Sequence, residues 1–302
     1  MTDLRLGVIG LSEGNGHPYS WSAIFNGYDP EAMRDCPFPA IPQYLARQRF
    51  PEDAISGARV THIWTQDRAA SEHVARASLI AHVVDDPRDM LPHIDALLLA
   101  RDDAENHFRF AAPCLQAGIP IYVDKPLALA EADARRLIEL QRWPGQLFTC
   151  SALRYGREFQ LTADERERLG ALRLIAGIVP KDWDRYAVHV IDPALCLMLQ
   201  LPAVTRTLAW RERDITILNV AWDNGVCGSF TALGKTGAAP IALRLVGEKG
   251  SVERVFIDSF AAFRRALSRF IDGVHSRKPV HDVEIDLAAA RLIEAGRREV
   301  FA

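Results

Sequence analysis

Short apolar runs alternate with amphipathic stretches through the first half of the chain. Runs at 4–10, 59–65, 94–100, 119–123 and 146–151 are apolar or β-rich, which predicts strands. Helix-like stretches separate several of them, 67–79 and 128–141 for example. In 105–117 Phe108, Ala111, Ala112 and Leu115 recur at helical spacing. Strands that alternate with helices predict a parallel sheet covered on both faces. One segment breaks the rhythm: Pro30, Pro37, Pro39, Pro42 and Pro51 crowd 29–58. That is too much proline for a long helix or a central strand. So long a connection is usually functional or mobile.

Past about residue 152 the texture changes. "ALRLIAGIV", "VTRTLAW", "ITILNVAW", "VCGSFTAL" and "IALRLVGEKGSVERVF" follow one another with little helix between, which predicts a mostly antiparallel sheet. A helix over 259–274 follows, with Phe260, Phe263, Leu267, Phe270, Ile271 and Val274 as its apolar stripe. Arg264, Arg265 and Arg269 on its other face read as a solvated surface. The expected domains are 1–152 and 153–302, in keeping with a prior of roughly 150 residues each. No internal repeat or low-complexity tract interrupts them.

Composition narrows the classes. The chain has 302 residues, 49% hydrophobic and 25% charged, as in an ordinary globular protein. A net charge of −3 offers no basic surplus to displace counterions, which argues against general nucleic-acid binding. No stretch approaches the roughly 18 to 20 apolar residues of a membrane span. No basic region, h-region or small-residue cleavage site is seen before the first apolar run, so no secretory leader is expected. Cys36, Cys114, Cys150, Cys196 and Cys227 are odd in number and never form C-x-x-C, so a reducing cytoplasm is expected and no zinc or other metal site.

The stretch "GVIGLSEGNGHPYSW" then carries the chemistry. A strand, a glycine loop and a helix form the context in which backbone can approach a pyrophosphate and helix N–H groups can face it. Counted from Gly10, the dinucleotide fingerprint wants glycine at 12 and glycine or alanine at 15. This chain has Ser12 and Asn15, with Gly14 and Gly16 each one position from 15. Read alone, the loop is equally a tight turn that holds no ligand. Glu13 would compete with a phosphate for the same N–H groups and is expected to point outward. His17, Tyr19 and Trp21 open the following helix.

A second motif supplies context. "AGIPIYVDKPLALAEADARRL" resembles the strand, Glu-Lys-Pro and helix of the glucose-fructose oxidoreductase / inositol dehydrogenase / MocA family. Further segments agree in order: "HIDALLLA" before a His107-led helix, "FTCSALRY", "VHVIDPALCLM", "GEKGSV" and "FRRALSRFIDGVHSRKPV". The resemblance covers nearly the whole chain apart from 29–58. It implies an N-terminal Rossmann doubly wound parallel sheet and a C-terminal α/β domain with a large open, mostly antiparallel sheet. A nicotinamide cofactor, NAD or NADP, would lie between the two domains. One face of the second sheet would be free of helices, so at least a dimer formed sheet to sheet is expected, a homodimer or homotetramer.

Site residues follow from the residues and the resemblance together. Lys125, at the carboxyl end of a parallel strand, would donate to a substrate hydroxyl and assist proton movement; alone it reads equally as a surface lysine. His189 is the candidate base, since imidazole titrates near neutrality, although a lone histidine among apolar neighbours is more often a core residue. The family's aspartate four residues before that histidine is replaced by Arg185. Asp184 lies one step, about 100° of helix, away and would serve only after a backbone shift. Asp192-Pro193 has the look of an N-cap and first helical position, or Asp192 orients His189 or substrate. Arg154, Tyr155, Lys181, Trp183, Arg185 and Tyr186 are candidates to line a pocket for a polyhydroxylated or anionic substrate. The cofactor set is Gly10, Ser12, Gly14, Asn15, Gly16, Thr65, Asp67, Arg68, Arg101, His107 and Asp124. Thr65 stands where a ribose-binding carboxylate belongs, so Asp67 reaching back would favour NAD and Arg68 would favour NADP. Arg101 and Asp102 stand where the family often has Thr-Pro.

The function implied is hydride transfer between a nicotinamide and a secondary alcohol or ketone of a sugar, cyclitol or sugar derivative. A non-catalytic nucleotide- or sugar-binding regulator on the same fold, and a reductase of a non-sugar carbonyl, remain alternatives, because fold does not fix substrate.

Overall fold

The computed structural model describes residues 3–298. Its contacts divide the chain into two units. One takes the chain up to Leu127 with Arg135–Thr149 and Phe263–His281; the other takes Ala128–Ala134, Cys150–Ala262 and the chain from Asp282 onward. The change of texture near 152 thus falls beside the passage at Thr149–Cys150. The segment 263–281, which sequence order places with the second half, joins the first unit.

In the first unit come β1 (Leu4–Ile9), α1 (His17–Asn26), α2 (Pro30–Arg34), α3 (Ala40–Leu45), β2 (Ala58–Trp64), α4 (Arg68–Ala77), β3 (His82–Val83), β4 (Ala96–Leu99), α5 (His107–Gln116), β5 (Ile121–Val123), α6 (Glu131–Glu139), whose first turn belongs to the other unit, and β6 (Leu147–Thr149). The six strands run parallel in the order β3-β2-β1-β4-β5-β6. A parallel sheet covered on both faces demands continuous apolar strands, and Ala96–Leu99 shows this with 0% exposure throughout. The order reverses between β1 and β4, and the carboxyl ends there form the switch point where open α/β sheets bind ligands.

The proline-rich segment has a packing role. Helix α1 buries eight consecutive residues, Pro18 to Phe25, more than one face of an amphipathic helix would. The extra cover comes from α3, which packs on α1. A Cβ on Gly16 would come 2.4 Å from Phe38 and 2.7 Å from Ile41. Tyr44 donates to the buried Ser20 hydroxyl.

The second unit contains α7 (Ala163–Leu169), β7 (Leu172–Val179), α8 (Trp183–Tyr186), α9 (Val188–Leu197), β8 (Val204–Glu212), β9 (Ile215–Trp222), β10 (Cys227–Ala232), β11 (Ala242–Gly247) and β12 (Ser251–Val255). Helix α10 (Ser259–Ser276) leads out of it, and α11 (Val283–Arg297) returns to it. The sheet order is β12-β11-β7-β10-β9-β8, antiparallel except for the β7–β10 pair. One face packs on α9 and α11 around Ile175, Val190, Leu218, Phe230, Leu243 and Leu292. Strand β9 alternates buried and less buried residues accordingly. On the edge strand β8, Leu208 and Trp210 are 54% and 51% exposed. Helix α11 was not expected from the sequence; Asp282 caps it by accepting from the Glu284 N–H.

Among the described residues no disulfide joins the five cysteines. Nor is any group of three or more His, Cys, Asp or Glu arranged to hold a metal ion. No described helix is long and apolar enough to cross a membrane.

Candidate active site

The loop after β1 is a tight turn tied down by side chains. The Asn15 N–H donates to the Ser12 carbonyl at 3.1 Å, and Gly14 sits at φ +75°, a conformation that favours glycine. The Ser12 hydroxyl donates to Asp102 Oδ1 at 2.6 Å and accepts from the Asp102 N–H at 3.1 Å. Asn15 Oδ1 accepts from the His17 N–H at 2.8 Å, while its Nδ2 donates to Asp124 Oδ2 at 2.8 Å. Asn15 therefore takes over the capping that Gly16, with no side chain, leaves undone. Ser12 and Asn15, standing where the fingerprint has glycine, bind the turn to the ends of β4 and β5. Glu13 is exposed at the tip, as expected.

The same geometry decides how a dinucleotide could be received. At the start of α1 the His17 amide is taken by Asn15 and Pro18 has none, so the helix terminus offers little to a phosphate. Gly10 and Gly16 are closed off by Pro18 and by Phe38 and Ile41. Gly14 differs: no atom lies within 4 Å of where its Cβ would be. The open side of the Ser12–Asn15 turn is where backbone approach to a pyrophosphate remains possible. Beyond β2, Thr65 is buried; its N–H donates to Ser71 Oγ at 2.8 Å and its hydroxyl to the Asp67 carbonyl at 2.6 Å. Asp67 does not reach back but caps α4, accepting from the Ala70 N–H at 3.0 Å. Arg68 pairs with Glu72 and Asp85. Arg101 is buried in a two-point pair with Asp103, at 2.9 and 2.5 Å, and donates to Gln66 at 2.9 Å. His107 is fully buried between the Leu127 and Arg101 carbonyls, at 3.0 and 2.8 Å. Beside these, Trp64, Asp85, Arg88, Arg109 and Phe110 line a cavity of about 370 Å³. That is within the usual size of a ligand pocket.

Lys125 follows β5 and is 4% exposed; its Nζ lies 3.1 Å from Asp102 Oδ2. Burial alone would raise the Asp102 carboxyl. The Lys125 ammonium, the Ser12 hydroxyl and His17 outweigh it, and the carboxyl lies below its ordinary value. Asp124 is buried too. Its Oδ1 accepts from the Lys125 N–H at 2.8 Å, and its Oδ2 lies 2.6 Å from His17 Nδ1. The His17 ring stacks on Trp21 at 5.0 Å and meets the edge of Phe263 at 4.9 Å. The first unit thus carries two carboxylate-centred pairs at the strand ends, Lys125–Asp102 and His17–Asp124.

In the second unit His189 is 8% exposed, with Nδ1 2.9 Å from Ser151 Oγ and its ring 5.3 Å from Tyr186. Tyr186 also meets Lys181, whose Nζ sits 4.4 Å from the ring centre. Asp184 pairs with Arg297 of α11 at 3.4 Å, and the Arg185 N–H donates to Asp182 at 2.9 Å. Asp192 is not an N-cap: α9 begins at Val188 and carries Pro193 inside. Instead Asp192 accepts from Arg154 Nε and from the Ser151 N–H, each at 2.6 Å. Arg154 also reaches Asp286 at 3.1 Å. The Asp192 carboxyl lies above its ordinary value chiefly because burial penalises its charge; Arg154 and the Ser151 N–H pull it down, and the second carboxylate, Asp286, adds to the rise. Arg154 and Asp192 are therefore bound to each other, and the half-buried Tyr155 follows Arg154 in the same short helical turn. Ser151 and Asp286 were absent from the sequence-derived set. Ser151 lies in "FTCSALRY", but nothing in the sequence marks its contact with His189; Asp286 lies on the unassigned α11.

Comparisons with known proteins agree with this fold. Residues 41–150 match the model of an oxidoreductase family with an NAD-binding Rossmann fold. Inositol 2-dehydrogenase 2 of Saccharopolyspora erythraea is 33% identical over 95 residues, which span 31% of this chain and 28% of that protein. A probable dehydrogenase from Thermotoga maritima superposes with a TM-score of 0.72 at 17% identity, covering 97% of this chain and 96% of the other. The myo-inositol dehydrogenase of Lactobacillus casei, solved with NAD(H) and myo-inositol, gives 0.72 at 16% identity, covering 98% and 94%. Residues 41–150, rather more than a third of the chain, are thus similar to the NAD-binding Rossmann domain of the glucose-fructose oxidoreductase, inositol dehydrogenase and MocA oxidoreductase family.

Proposed function

We propose that the protein is an oxidoreductase that transfers a hydride between NAD or NADP and a secondary alcohol or ketone of a sugar, cyclitol or sugar derivative. The observation that carries this reading is Lys125, buried at the carboxyl end of β5 and held by Asp102 beside the switch point of the sheet. The open side of the Ser12–Asn15 turn would receive the pyrophosphate, and the cavity beside Trp64 and Phe110 the adenosine half. When bound, the nicotinamide supplies the acceptor or donor of hydride. Lys125 donates a hydrogen bond to the substrate oxygen and stabilises negative charge that develops there. Asp102 holds the Lys125 Nζ in place. The inositol dehydrogenases among the similar proteins support a polyhydroxylated substrate.

Lys125→Met tests the reading. Turnover should fall by roughly 10²-fold or more while cofactor affinity stays within a few-fold. Turnover that survives the change removes Lys125 from the site. A second reading, a binding protein without dehydrogenase activity, is favoured by the side-chain ties of Ser12 and Asn15, which close much of the phosphate loop. It would show ligand binding with no nicotinamide turnover by the wild-type protein.

A further inference from the structure

The first unit holds an imidazole–carboxylate pair that the family pattern does not supply. His17 opens α1, and Asp124 precedes Lys125. We propose that His17 is the proton-accepting group of the site, with Asp124 setting its tautomer; this rests on the oxidoreductase reading above.

The geometry supports the assignment in three ways. Asp124 is 1% exposed, and each of its oxygens accepts from a fixed donor, Asn15 Nδ2 and the Lys125 N–H. A carboxylate can only accept, so its contact with His17 Nδ1 at 2.6 Å places the ring proton on Nδ1. That leaves the Nε2 lone pair to act as base. Second, the ring cannot turn freely: Trp21 stacks on one face, Phe263 meets it edge-on, and the backbone N–H of His17 is fixed by Asn15. Third, the side chain keeps 17% exposure, whereas Lys125 is buried and paired with Asp102. His17 can exchange a proton with water, and Lys125 is far less able to. Nε2 makes no hydrogen bond to any described residue. By contrast, Nδ1 of His189 meets the neutral hydroxyl of Ser151, which can serve either tautomer.

In alcohol oxidation the O–H bond of the substrate breaks and its proton forms a bond to Nε2. A bound nicotinamide would supply the two-electron acceptor: the C–H bond of the same carbon would break with its electron pair leaving as hydride to it, and the C=O bond would form. The imidazolium is stabilised by Asp124 and loses its proton to water. Reduction runs the same steps backward.

The test begins with the wild-type protein. Nitrogen-15 spectra of the imidazoles should show His17 as the Nδ1–H tautomer, and Asp124→Asn should disturb that resonance. In kinetics, His17→Ala should lower kcat by about 10²- to 10⁴-fold, with cofactor affinity little changed and the melting temperature lowered by the lost stacking and pairing, and free imidazole should restore part of the rate. His189→Ala should cost much less. A His17 found as the Nε2–H tautomer overturns the proposal, and so does a His17→Ala enzyme within three-fold of wild type or one that imidazole does not rescue. If His17→Ala fails to fold, the tautomer and the Asp124→Asn rate decide: an unshifted resonance, or an undiminished kcat, sinks it. Absence of any NADH or NADPH binding by the wild type would instead sink the oxidoreductase reading, and this proposal with it.

Discussion

Replacing Asp102 by Asn removes the counter-charge of Lys125 while keeping size and shape. Both side chains are 6% exposed and their charged atoms lie 3.1 Å apart. At an effective dielectric constant of about 20, that separation corresponds to roughly 5 kcal/mol of attraction. Desolvation of the two groups offsets part of it, yet removing one partner leaves a buried ammonium beside a neutral amide, which costs about 3–5 kcal/mol. Asp102→Asn should therefore destabilise the first unit by about 3 kcal/mol in urea unfolding, with the slope unchanged. Lys125→Met should also destabilise, but the double variant should fall short of the sum by about 2 kcal/mol, the coupling of the pair. The pH dependence gives an independent sign. The Asp102 carboxyl is depressed in the folded chain. Its contribution is therefore complete above the unfolded value of about 3.9 and is lost as pH falls toward the folded value. Asp102→Asn should flatten that acid limb. Additive single variants, or an Asn variant within about 0.5 kcal/mol of wild type, would refute the pairing.

Two further outcomes are expected. His62 stacks with His82 and His93 at 4.7 and 5.7 Å, and burial, then the two histidines and Arg5, push its imidazole down to about 4. Its folded value lies below the unfolded value of about 6.5, so stability should be full above pH 6.5 and fall toward pH 4. The site is partly exposed and screened, which limits the effect to about 1–2 kcal/mol; urea midpoints at pH 5 and 7 should differ less in His62→Gln. Leu208 and Trp210 on β8 are large apolar side chains about half exposed, the kind of surface that favours association. Light scattering should find at least a dimer that Trp210→Glu weakens, and a monomeric wild type at micromolar concentration would count against sheet-to-sheet pairing.

The fold was legible where burial writes itself into the pattern. Central strands such as Ala96–Leu99 are apolar without interruption because both faces are covered, and β9 alternates because one face is. Strand β3 is two residues long, too short for any periodicity. Helix α11 hides its stripe in an alanine run, Ala288–Ala290, with small contrast between its faces. Asp192-Pro193 misled because a cap and a mid-helix proline look alike over two residues; the helix start at Val188 is set by the preceding α8. The site was legible as residue types but not as partnerships. Ser12 meets Asp102 across 90 positions and Asn15 meets Asp124 across 109, contacts that only the folded sheet creates. The departures from the glycine fingerprint make sense only beside those carboxylates.

The most direct test of the account is whether the first unit receives a nicotinamide dinucleotide despite its side-chain-tied turn. Purified protein titrated with NADH and with NADPH, followed by nicotinamide fluorescence, should show saturable binding of at least one, and Lys125→Met should leave that curve within a few-fold. No saturable signal from either nucleotide at millimolar concentration would contradict the account.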